Sequence, residues 1–167
     1  MTRMSAVLVA GLLAFVGVAA AQEKKAVAKG TFTMNGTTYK VASAVAYTRT
    51  VDDEKETVVI LADKPLNAAQ LKASLKKSAD GSDYDPYPRI ELTFDEKGVL
   101  VYLGMQTQDA GIKHMPAGHI KDHTASATIA DTSVKGSAIT NGKEDRESIN
   151  RHKYRFDVTF DVKLTKP

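Results

Sequence analysis

Three of the chain's four histidines, His114, His119 and His123, fall in one short stretch, with Met105 and Met115 beside them and Asp122 within reach. Imidazole nitrogen together with thioether sulfur suits copper, and imidazole alone also suits zinc. Spacing limits this reading. His119 and His123 share a face only on a helix, and Pro116 and Gly118 oppose a helix just upstream. No His-x-His or Met-x-Met array occurs. A copper or zinc site made of His114, Met115, His119 and His123, in the loop over residues 105–123, is therefore the alternative reading. The leading expectation is a histidine-bearing surface loop that holds no cofactor.

Hard oxygen ligands sit at Asp80, Asp83 and Asp85, as a calcium loop would want. Counted from Asp80, the EF-hand positions for glycine and the distal glutamate hold Asp85 and Glu91, so only the glutamate fits. Pro86, Pro88 and the lack of a flanking helix pair remove the EF-hand, leaving at most a weak carboxylate site. Nucleophilic chemistry has no support: there is no cysteine, no G-x-S-x-G, no H-E-x-x-H and no P-loop. A hydrolase built on two carboxylates stays open, because such pairs meet only in space. An enzyme is not expected. For contact with a ligand or partner the best residues are Tyr84, Tyr87 and Arg89, taken together with the histidine loop. A tyrosine offers an apolar body with a polar tip, which suits such surfaces.

The elements that would position these residues are strands. From His152 through Tyr154, Phe156, Val158, Phe160 and Val162 to Leu164, every second residue is apolar or aromatic, and charged residues and threonine fill the gaps. That is the period of a strand with one oily side and one wet side. His152 is in phase with the oily side and is expected at its rim. Asn35-Gly36 between two β-prone runs predicts a tight hairpin, since a type I′ turn needs positive φ at both central residues. Beyond it Tyr39, Val41, Val45 and Tyr47 are expected on one face, with Ala42, Ala44 and Ala46 on the other. Residues 49–56 read as a charged connection, and 57–61 as a strand covered on both sides. Asn67 is placed to cap a short helix through about Lys77, with Leu71, Leu75 and the alanines at 68, 69 and 73 as its apolar positions. It reads as a lid or connector at one end of the sheet. A second hairpin covers residues 89–105, and two weaker strands follow at 124–130 and 133–140. The fold class expected is mainly β, a single antiparallel β-sandwich or small β-barrel of about seven to eight strands with one short helix.

Residues 1–21 have the form of a secretory signal peptide: Arg3, an uncharged apolar run over 6–20, then Ala19-Ala20-Ala21 before Gln22. Residues 22–29 read as a flexible leader and 30–167 as one β-domain, long enough to bury a core without disulfides. The formal net charge of +3 falls by one when Arg3 leaves, and both signs are interspersed. Nothing resembles the basic stripe of a nucleic-acid binder, so no nucleic acid is expected. No second apolar span follows the first, so no membrane span is expected after cleavage.

The run from Gly30 to Tyr39, the alanines up to Tyr47, Val58 to Leu61, Lys64-Pro65-Leu66, Val134-Lys135-Gly136 and the closing Phe156-x-Val158-x-Phe160-x-Val162 together resemble small exported bacterial proteins of uncharacterised function. The resemblance implies a periplasmic or secreted location and supplies no activity or site residues. The sequence thus points to an exported, non-enzymatic β-domain that binds a small molecule or an envelope protein through its loops or the mouth of its sheet.

Overall fold

The computed structural model describes residues 27–166, apart from 79–80, 82, 85, 87, 108–110, 113–120 and 149. The expected signal peptide and the start of the leader lie outside the described residues. Val27, Ala28 and Lys29, the end of that leader, already belong to a strand and pair with Asp161, Phe160 and Thr159.

Strand β1 (Val27–Met34) turns into β2 (Thr37–Lys40) through Asn35 and Gly36, both at positive φ (49° and 83°), as the Asn-Gly signal requires. The chain then breaks at Val41 and Ala42 before β3 (Ser43–Val51). That break reverses the expected grouping of faces. Tyr39 and Val41 pack into the main core with Ala44 and Ala46, whereas Val45 and Tyr47 point to the opposite side of the sheet. A second correction concerns residues 49–56. They are not a loose connection: β3 runs on to Val51 and meets β4 (Glu54–Ala62) through Asp52 and Asp53, at φ 50° and 65°. Aspartate tolerates the left-handed region well enough to replace Asn-Gly in such a turn.

Helix α1 (Ala68–Lys77) starts where expected, with the Asn67 side-chain oxygen accepting from the amides of Ala69 (2.9 Å) and Gln70 (3.2 Å). Its buried positions are Leu71, Ser74 and Leu75, while Ala68, Ala69 and Ala73 face outward. The helix does not sit at an end of the sheet. Leu71 and Leu75 cover Val45, Tyr47, Val58 and Ile60, the outer face of β3 and β4, in a second hydrophobic cluster. This is why β4 reads as a nearly unbroken apolar run: Val59 and Leu61 face the main core and Val58 and Ile60 face the helix.

The remaining strands are β5 (Arg89–Phe94), β6 (Leu100–Gln106), β7 (Gly111–Ile112), β8 (His123–Ala130), β9 (Ser133–Thr140), β10 (Arg146–Glu147) and β11 (Lys153–Thr165). The excess over the expected number comes from short pieces, since β2, β7 and β10 have four, two and two residues. Strand order is β2-β1-β11-β3-β4-β5-β6-β7, with β9 on the other edge of β11, β8 beyond β9, and β10 beside the start of β11. The arrangement is mixed rather than purely antiparallel. β11 is long enough to outrun β1 and lie parallel to β3, at Leu164 opposite Ala46 and Thr165 opposite Tyr47.

The sheet does not close on itself. The far edge of β8 is met by the turn between β5 and β6, where the Ala127 amide donates to the Gly98 carbonyl at 3.0 Å. A Cβ at Gly98 would lie 1.9 Å from the Ala127 carbonyl oxygen, so only glycine admits this approach, and its φ of 77° adds a second reason. Tyr154, Phe156, Val158, Phe160 and Val162 of β11 all point inward, and Phe160 meets Phe94 of β5 with ring centroids 5.8 Å apart. The interior between the facing strands is packed with these side chains.

Candidate functional site

The inward-facing rows change character towards the end where β11 leaves the fold. On β4 the row runs from Leu61 and Val59 through Thr57 to Lys55. On β3 it runs from Ala44 and Ala46 to Thr48, and on β11 from Val162 through Leu164 to Lys166. Oil gives way to hydroxyl or half-buried aliphatic, then to ammonium. The same residues, with Glu96 from the β5–β6 turn and Ile129, Ala130 and Asp131 at the β8–β9 turn, line a cleft of about 490 Å³. Its volume is in the range that small-molecule sites occupy.

The cleft is held by ladder contacts on every side. Thr48 pairs with Thr57, and Thr57 pairs with Phe94, so the hydroxyl floor rests on the ring that meets Phe160. Thr57 is only 2% exposed. The opposite wall is anchored by the Leu164 amide, which donates to Thr132 at 2.9 Å. Among the described residues none of the four charges, Lys55, Glu96, Asp131 and Lys166, is held in a salt bridge.

The residues singled out from sequence lie elsewhere. Tyr87, His114, Met115 and His119 fall outside the described residues, as do Asp80 and Asp85. His123 begins β8, is 8% exposed, and is enclosed by aromatic rings: its ring stacks on Phe156 at 5.1 Å and on Tyr154 at 5.7 Å. Its Nε2 is 3.1 Å from the Tyr154 hydroxyl. Burial, then the nearby Asp122 carboxylate, pushes the Tyr154 phenol up to about 12. Met105 is a core residue of β6. No group of three or more potential metal-ligating side chains occurs among the described residues.

Tyr84 and Arg89 are brought together, though as a structural joint. The Arg89 guanidinium donates to the Tyr84 carbonyl at 3.1 Å and lies 3.5 Å from Glu91. The Tyr84 side chain, 8% exposed, packs with Leu71 and Leu75, and its hydroxyl accepts from the Asn67 amide at 3.1 Å. Burial raises the Tyr84 phenol pKa, against the lowering effect of that amide. Tyr84 also borders a groove of about 380 Å³ beside α1, with Gln70, Ser74, Lys77 and Asp83. His152 is half-buried near the start of β11, its Nδ1 3.1 Å from the Asn35 side-chain amide, at the rim where its phase placed it.

No family model matches the chain, and neither a curated protein nor a solved structure matches it.

Proposed function

We propose that this is an exported, non-enzymatic binding domain that takes a small polar ligand in the cleft between the ends of β3, β4, β8 and β11. The observation that carries it is the graded end of the core, where inward positions stop being oily and become threonine and lysine around an open cleft. Stability alone favours capping such an end with apolar or hydrogen-bonded groups. A line of hydroxyls and unpaired charges is what recognition of a polar molecule requires. On this reading the facing strands are the two layers of a sandwich that share β11, rather than a continuous barrel. Export rests on residues 1–21.

In the copper or zinc reading, His123 would have to give up its contact with Tyr154 or coordinate through Nδ1 alone. Its other ligands lie outside the described residues, and no observation favours it over the cleft.

The test is amide NMR mapping of the chain from Gln22 with a mixture of amino acids, dicarboxylates and hexoses. Shifts gathered on Thr48, Thr57, residues 129–131 and Leu164 support the cleft. Shifts centred instead on the α1 groove, or no shifts at all, overturn it.

A further inference from the structure

Resting on that reading of the cleft, we infer that its ligand is a zwitterionic amino acid with an aliphatic side chain. The distribution of the four charges around the cleft carries it. Lys55 ends the inward row of β4, and Glu96 sits directly after Phe94, the register partner of Thr57. Continuing that register places Lys55 and Glu96 beside each other on one wall. On the other wall Asp131 precedes Thr132, whose carbonyl receives the Leu164 amide, and Lys166 lies two residues beyond Leu164. Each wall therefore presents one ammonium and one carboxylate.

A lysine at the end of a strand is ordinarily a solvated charge that keeps an edge soluble. Two features set these apart. The lysines are exposed, yet they continue inward rows and line the cleft. And although each has an opposite charge on its own wall, none of the four is engaged in a salt bridge among the described residues. The charges are thus available to a ligand rather than spent on one another.

A ligand with one charge would satisfy one sign and leave the other without a partner in the cleft. A molecule carrying both an ammonium and a carboxylate meets both signs at once. Charge-assisted hydrogen bonds of this kind are the strong ones. The rest of the lining selects the side chain. Ile129 and Leu164, both packed against the core and half-exposed, offer aliphatic surface beside the charges. Among the described residues no aromatic lines the cleft, which disfavours stacking ligands such as nucleobases. Thr48 and Thr57 supply hydroxyls that can donate to a carboxylate or accept from an ammonium.

The experiment is titration of the chain from Gln22 with L-leucine, leucinamide, 4-methylpentanoate and glucose, read by calorimetry and by amide NMR. Leucinamide keeps only the ammonium, and 4-methylpentanoate keeps only the carboxylate. The inference expects leucine to bind about tenfold more tightly than either. K55Q and D131N, both at the rim, should each bring leucine close to one of the singly charged compounds, with thermal stability unchanged. Equal binding of leucine and a singly charged analogue, or preference for glucose, overturns the zwitterion while leaving the cleft as a site. Absence of any shift at Thr57, Ile129 and Leu164 with all four compounds overturns both.

Discussion

The Tyr154 hydroxyl lies 3.1 Å from His123 Nε2, and the two rings are stacked with Phe156 on the inner face of the sheet. The partnership joins the first residue of β8 to the second of β11 at the end of the fold opposite the cleft.

Its pH dependence follows from the Tyr154 phenol. Folding raises its pKa from 10.0 to about 12, mainly through burial, so folding favours the neutral form. The contribution is complete below pH 10 and is lost as pH climbs through about 12. Tyr154→Phe should cost about 1 kcal/mol near neutrality by removing one hydrogen bond. It should also flatten the fall in stability over the alkaline window. Urea unfolding at pH 7 and across that window checks both parts, and a variant that loses stability as steeply as the parent removes Tyr154 as the cause.

Thr93 offers the opposite kind of change. It is fully buried near the end of β5, and its hydroxyl has no hydrogen-bond partner among the described residues. Thr93→Val keeps the shape and the β-branch and removes a dehydrated polar group. We expect it to stabilise the fold by about 1 kcal/mol. A loss in a chemical denaturation series would mean that the hydroxyl does have a partner.

Two glycines separate backbone conformation from crowding. Gly36 and Gly98 both have positive φ, 83° and 77°, yet a Cβ at Gly36 would meet nothing within 4 Å while one at Gly98 would run into the Ala127 carbonyl. Gly36→Ala should cost about 1 kcal/mol, the strain of the left-handed region alone. Gly98→Ala should cost at least about twice that, because it also drives β8 from the β5–β6 turn. The two variants compared by thermal unfolding decide the matter, and equal losses would show that the Gly98 contact contributes little.

What could be read in advance was whatever has local physics. The alternation along β11, the Asn-Gly turn and the Asn67 cap each depend on residues a few positions apart. The doubly covered β4 could be read because coverage on both faces leaves its trace in one strand's composition. The turn at Asp52 and Asp53 was hidden because it lacks the usual glycine, and the break at Val41 and Ala42 because it swaps the faces of the strand that follows without interrupting the apolar pattern. The cleft was invisible for a different reason. Thr57, Glu96, Asp131 and Lys166 come from separate strands and turns and meet only after the sheet is built. One signal was present: Lys55 and Thr57, like Leu164 and Lys166, are in phase with the inward rows, so polar residues replace oily ones on schedule.

β11 pairs with β1 and β9 along much of its length and with β3 at its far end, so it ties together strands from both ends of the chain. Pairings of such long range are slow to form, and completion of the sheet waits on them.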